Sequence, residues 1–311
     1  MKKILGINIS HNCSFAYFEN DILKEYYEED RFNKIKHFQP PEPPVEEYNY
    51  EVLKKFKNTV FDAVVFVSYV RHHFSIDKAI IDNILKQVKT KNKKFYYNDH
   101  HIFHAVCGYY FSEFKEAIAL VTDGGGERIF NSFFSIQVME SIILINKNKI
   151  KKFYQAASNV RSYYFSENKN NVKEINTTEN GVDLKLTNQS IGGHKYMNYL
   201  LEAGFKPQQE GQLMGIAAYK NKGTNLDKNV LEIASKAQEE TLQDKIKLIE
   251  KALSYSNCKN IILSGGYHLN CANNFKLVKH FPKLNFFVDP IPYDGGTAVG
   301  VAYYYEKNFK N

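Results

Sequence analysis

Ala117-Ile118-Ala119-Leu120-Val121-Thr122-Asp123-Gly124-Gly125-Gly126-Glu127 reads as a buried strand that stops in a tight glycine corner, and residues 129–138 return as a second strand. The chain opens in the same way. Residues 3–9 are a short apolar, β-branched run, Ser10-His11-Asn12 is a polar corner, and residues 14–18 resume as a strand. One corner carries Asp123 and the other His11, each at the end of a buried strand. An opening that occurs twice points to two related half-domains with a cleft between them. The glycines Gly124, Gly125 and Gly126 admit backbone amides to a phosphate without Cβ interference; three glycines serve a hairpin turn equally well.

Working outward, residues 22–27 complete the first meander, 60–68 form a nearly continuous apolar strand, and 94–97 a further strand. The run Pro40-Pro41-Glu42-Pro43-Pro44 predicts a stiff exposed loop, followed by a helix over 45–58. A helix is predicted over 77–90, with His72 and His73 in the loop before it. Residues 141–154 give two more strands. From 156 to 187 the composition turns to Asn, Lys, Ser, Thr and Glu, which predicts a long loop or lid. Helical patterns cover 194–205, 209–219 and 226–255. Strands at 260–264 and 285–289 and a last helix opened by Tyr293 to Gly300 close the chain.

Bulk properties set limits. With 311 residues there is ample interior for one large or two ordinary domains. Forty-one basic against thirty-four acidic residues leaves 41 − 34 = +7, enough to draw in phosphates or nucleic acid but without a strongly basic block. Cys13, Cys107, Cys258 and Cys271 lie far apart, so no zinc knuckle or redox pair is formed, and free thiols in a reducing compartment are expected. The apolar run after Met1-Lys2-Lys3 ends too early for export, and no stretch approaches the roughly 18 apolar residues of a membrane span. The expectation is a cytoplasmic protein with no membrane partner.

Chemistry concentrates in a few places. Asp99-His100-His101-Ile102-Phe103-His104 predicts a helix capped by Asp99, with His100 and His104 on one face. Their Cβ atoms then lie roughly 5 to 6 Å apart, within reach of one metal ion. Asp294, at a strand-to-helix corner, is either an N-cap or the carboxylate that completes such a site. Ser264-Gly265-Gly266, followed by a helix carrying Asn270 and Asn274, makes a nucleotide shelf. The charged segment 28–37 is a solvated turn unless a phosphate-bearing ligand lies near, in which case Arg31 and Lys36 are natural clamps.

Taken together these motifs resemble the carbamoyltransferases of antibiotic and nodulation-factor biosynthesis, relatives of the transferase that forms threonylcarbamoyladenosine in tRNA and of the hydrogenase-maturation carbamoyltransferase. The residues that carry the resemblance stand in order: Gly6-Ile7-Asn8 with His11 and Ser14; Glu28 to Phe32 with Ile35-Lys36-His37; Asp99 to Ala105; Asp123 to Glu127. They continue with Glu210-Gly211 and Leu213-Met214-Gly215; Ser264-Gly265-Gly266 with Leu269-Asn270 and Asn274; and Asp294 to Ala298. The resemblance implies an α/β actin-like ATPase (ribonuclease H-like) fold of two related half-domains, 1–115 and 116–311, the second with a helical insertion around 187–256. It also implies a divalent metal, Fe2+, on His100, His104 and Asp294, with Asp123 near the metal or phosphate. ATP or carbamoyl-adenylate would lie on Gly124 to Gly126, Ser264, Gly265, Gly266, Asn270 and Asn274. His11 and Lys36 would face the carbamoyl group and a hydroxyl acceptor, a sugar, nucleoside or similar small molecule, with carbamoyl phosphate as the ultimate donor. Nucleic-acid modification and a non-catalytic nucleotide-binding subunit are the alternatives. Three departures stand out: Gln212, Ala218 and Lys220 replace the usual lysine, proline and glycine around Met214-Gly215; Tyr267-His268 replace small residues beside the shelf; and the chain stops at Asn311, where the family continues into a carbamoyl-adenylate-forming domain. Either a separate protein then supplies the activated donor, or the donor differs.

Overall fold

The computed structural model describes residues 1–41, 47–68, 74–130, 135–158, 174–220, 222 and 225–309. Two sheets organise them. In the first, strands β1 (Lys3–Asn8), β2 (Ser14–Glu19) and β3 (Ile22–Glu28) form an antiparallel meander, and β1 then pairs in parallel with β5 (Ala63–Val67), and β5 with β7 (Lys93–Tyr96), giving the order β3-β2-β1-β5-β7. A two-stranded ladder of β4 (Val60–Phe61) and β6 (Lys89–Thr90) lies beside it. In the second sheet β8 (Glu116–Thr122), β10 (Ser135–Asn146) and β11 (Ile150–Ser158) form the meander, and β8 pairs in parallel with β14 (Asn260–Ser264), which pairs with β15 (Asn285–Val288). The order β11-β10-β8-β14-β15 repeats the first sheet strand for strand. Extra strands β9 (Arg128–Phe130), β12 (Glu174–Glu179) and β13 (Val182–Thr187) extend it.

Alternation along β1 explains the layering. Ile4 faces a central apolar cluster, whereas Leu5 and Ile7 face an outer one with Phe15, Tyr50, Phe66 and Ile84. Between the sheets lie helix α3 (His100–Ser112) and the last helix, Thr297–Lys307. They cross closely: a Cβ on Gly300 would collide with the Phe103 carbonyl oxygen, and one on Gly6 with that of Ala298. Helix α3 leans on β8, β10 and β14 of the second sheet, while the last helix leans on β1, β2 and β5 of the first and so crosses the sequence boundary at 115/116. Two short helices, α1 (Asp30–Asn33) and α2 (Phe74–Leu85), precede α3. After the second meander come α4 (Gly192–Glu202), α5 (Glu210–Ala217), α6 (Lys228–Tyr255) and α7 (Cys271–His280); Thr297–Lys307 is α8. No helix among the described residues is long and apolar enough to cross a membrane.

Several sequence expectations are corrected. Over 47–58, the described part of the helix expected at 45–58, the chain forms only a 3-10 turn, Val52–Phe56, because Glu29 takes the N–H groups of Glu51 (2.8 Å) and Val52 (3.1 Å), and the Tyr48 carbonyl and Tyr50 N–H are engaged by Asn83 and Gln87. The helix over 77–90 ends at Leu85, its tail becoming β6. The loop or lid at 156–187 contains the end of β11 and the β12–β13 hairpin. Residues 159–173, His72, His73 and most of the proline run lie outside the described residues. The segment 28–37 is not simply a solvated turn, since Glu28 and Glu29 are buried.

Candidate active site

Strands β1, β8 and β14 end at one cleft between the sheets, and α3 enters it with two imidazoles. The Nε2 atoms of His100 and His104 lie 3.1 Å apart. Asp123, just past β8, places Oδ2 3.5 Å from His100 Nε2 and 3.7 Å from His104 Nε2. Asp294, opening the turn Asp294–Gly296, places Oδ1 at the same two distances, 3.5 and 3.7 Å. One ligand atom from each of these four buried residues lies within 4.8 Å of the others. Asp123 thus stands in the cluster itself, opposite Asp294.

The charges are mutually determined. Burial would strip protons from both rings, but the carboxylates of Asp294 and Asp123 outweigh it, lifting His100 to about 10 and His104 above its ordinary value. Burial pushes the two carboxyls up, yet the imidazoles beside them hold Asp123 and Asp294 below the usual carboxylate range, His11 contributing at Asp294. Two imidazole nitrogens and two carboxylate oxygens converging in a buried space fit a divalent transition metal on donor type. Both Nε2 atoms face the cluster, and neither Nδ1 has a hydrogen-bond partner.

Neighbouring residues hold this arrangement. Asn8 shapes the 10–12 corner, donating to the carbonyls of His11 (3.1 Å) and Asn12 (3.2 Å), and Asn12 adopts φ +56°. Ser10 Oγ reaches Asp294 Oδ2 at 2.9 Å, and His11 Nδ1 lies 3.2 Å from the same oxygen. The His11 side chain keeps 44% of its surface exposed, at the mouth of the cluster. The Gly266 N–H donates to Asp123 Oδ1 (3.2 Å), and the Gly193 N–H to the Asp123 carbonyl (2.9 Å). Ser10 and Gly193 were not singled out by sequence, nor was His194, which is close enough to Asp123 to feel its charge. Their signal was a polar residue or glycine at a strand or helix end, a pattern too common to single out.

Other expected site residues sit differently. Asp99 precedes α3 but makes no capping bond with its side chain; Glu127 accepts the His101 N–H instead (3.0 Å). Ser264 turns inward between the His104 carbonyl (3.1 Å) and Asp289 Oδ2 (2.7 Å). Asn270 caps α7 and donates to Gln238 (2.8 Å), and Asn274 folds onto His268, whose Nδ1 lies 2.9 Å from its Oδ1. The departure at Tyr267-His268 therefore occupies Asn274; Gly265 before it has φ +91°. Gly124 and Gly125 are half-buried and Gly126 is buried. Arg31 is exposed, held by Glu28 (3.6 Å) and Asp30 (3.5 Å), and Glu28 also binds the hydroxyl of Tyr293 beside Asp294. Lys36 is exposed next to His37, whose Nδ1 meets Asn12 Nδ2 at 3.2 Å.

The family model of the carbamoyltransferase N-terminus matches residues 27–303. The chain belongs to the carbamoyltransferase family. An uncharacterised protein of Methanocaldococcus jannaschii is 28% identical over 309 residues, covering 96% of this chain and 56% of that protein. Another, from a Synechocystis strain, is 24% identical over 97% of this chain and 56% of its own length. The chain thus spans about half the length of these relatives. Among solved structures, full-length HypF in a phosphate- and nucleotide-bound form superposes with a TM-score of 0.59 at 12% identity, over 100% of this chain and 56% of that one. A ROK family protein from Streptococcus pneumoniae, in complex with sucrose, gives 0.53 at 11% identity over 98% and 99%. The chain has the actin-like ATPase fold of these proteins.

Proposed function

We propose that this chain carries the acceptor-side half of a carbamoyl transfer, from carbamoyl-adenylate to a hydroxyl of a small molecule. The observation that supports it best is the buried cluster of His100, His104, Asp123 and Asp294 with His11 at its mouth, in a chain of this family. The phosphate and nucleotide bound by HypF, which shares the fold, suggest an adenylate on the glycine corner 124–126 and the shelf at Gly265 and Gly266.

In this reading the acceptor oxygen attacks the carbamoyl carbon, the bond from that carbon to the adenylate phosphate oxygen breaks, and the acceptor proton passes to His11. Asp294 orients the ring of His11 through Nδ1, as a carboxylate does for a general-base imidazole. Arg31 and Lys36, exposed on the neighbouring segment, supply positive charge for the departing phosphate. A divalent ion, Fe2+ by the family resemblance, held by His100, His104, Asp294 and Asp123 would polarise the carbamoyl oxygen as a Lewis acid. Carbamoyl phosphate would be the ultimate donor of the adenylate's carbamoyl group.

Mass spectrometry of purified protein with Fe2+, carbamoyl-adenylate and a panel of sugars and nucleosides tests the proposal. A carbamate should form, and His11→Asn should slow its formation about 100-fold or more. Adenylate binding without any carbamate would favour a non-catalytic nucleotide-binding subunit.

A further inference from the structure

Helix α3 carries a third buried histidine that the cluster does not use. His101 lies one residue beyond His100, turned to a different face of the helix. Its Nδ1 lies 2.7 Å from Ser141 Oγ on β10, and its Nε2 has no hydrogen-bond partner. The ring fills the space that a Cβ at position 126 would need, so that methyl would collide with it. In the other direction Glu127 accepts the His101 N–H (3.0 Å) and is itself fixed by Gln155 (2.7 Å) and Lys152 (3.3 Å). The corner 123–127 and the first turn of α3 therefore grip each other twice. The same corner is tied to β10 by Asp123 N–H to Met139 O (2.9 Å) and Gly126 N–H to Val138 O (2.7 Å).

We propose that His101 is a positioning residue for the metal centre: seated beneath Gly126, it sets Asp123 against His100 and His104 without touching the ion. This rests on the reading of the cluster as a metal centre. Supporting residues of this kind commonly change metal affinity about 10-fold to 100-fold when removed.

Titration of metal-free protein with Co2+, followed by its visible absorption bands and by competition with a chelator, tests it. The bands report the number and geometry of ligands. The proteins compared are wild type, His101→Ala, Gly126→Ala and the double variant, with thermal midpoints measured in parallel. Each single change should weaken Co2+ binding about 10-fold or more and alter the bands. The double variant should lose less than the product of the two, since removing the ring makes room for the methyl. Gly126→Ala approaches the contact from its other side, so the test survives if His101→Ala fails to fold. Multiplicative losses in the double variant, or wild-type bands and affinity alongside a lowered midpoint, would overturn the proposal alone. Wild-type protein that takes up no Co2+ would overturn the metal-centre reading, and this inference with it.

Discussion

His100 illustrates how neighbours set the charge of a residue. With its ring held at about 10 by Asp294 and Asp123 against the pull of burial, and His104 raised beside it, the cluster holds at least one proton that a cation, on the reading proposed above, would displace. Apparent affinity for a divalent ion should therefore rise about tenfold or more per unit between roughly pH 6 and 8. Calorimetry in two buffers of different ionisation enthalpy counts the released proton; a count of zero would sink the account. The same raised value stabilises the metal-free fold fully below the ordinary 6.5 and loses that contribution as pH climbs through about 10. His101 and His268 act in the opposite sense. Burial lowers them to about 4 and about 3, so the unfolded chain takes up their protons first and stability falls as pH drops below 6.5. The histidine pair was legible because a four-residue interval on a helix fixes direction. Whether Asp123 stood in the cluster or merely near it was not, since that depends on how two distant strand ends meet.

At the scale of elements, α6 hides polar residues in its inward stripe. Gln238, Thr241 and Lys245 are buried between Ala237 and Ile249. Lys245 pairs with Glu140 on β10, approaches Thr122 Oγ1 at 3.3 Å and lies over the Tyr267 ring at 5.4 Å. Lys245→Met leaves Glu140 buried without its cation and should cost about 3 to 5 kcal/mol; adding Glu140→Leu should recover most of it. Urea unfolding of the single and double variants measures both, and equal losses would contradict the pairing. The helix crossing offers a second test. Gly300→Ala pushes a methyl into the Phe103 carbonyl and should destabilise by about 1 to 3 kcal/mol. Strands β1, β2, β8 and β14 could be read from sequence because their faces are apolar, whereas every residue of β12 is exposed and only two of β13 are buried. That hairpin is held by its ladder to β11, which leaves no imprint on hydropathy.

For the whole molecule, the repeated opening was the signal that carried furthest: two strand corners, at His11 and Asp123, foretold two sheets that share a five-strand order, the second extended by three further strands. If the cleft between them binds an adenine nucleotide, deuterium uptake at 8–12, 123–127 and 265–270 should slow with ligand while the β12–β13 hairpin is unaffected; uniform protection would argue against a ligand between the sheets. The crossing of the two central helices bears on how the chain is made. Ile4, Ala16, Phe18, Val65 and Val67 belong to strands synthesised well before α8, which leans on their sheet. A released polypeptide ending at residue 296 should still display that apolar surface to chaperones and proteases, and one extending through Lys307 should not. The first sheet on that view stays unfinished until a helix translated long after it arrives to cover it.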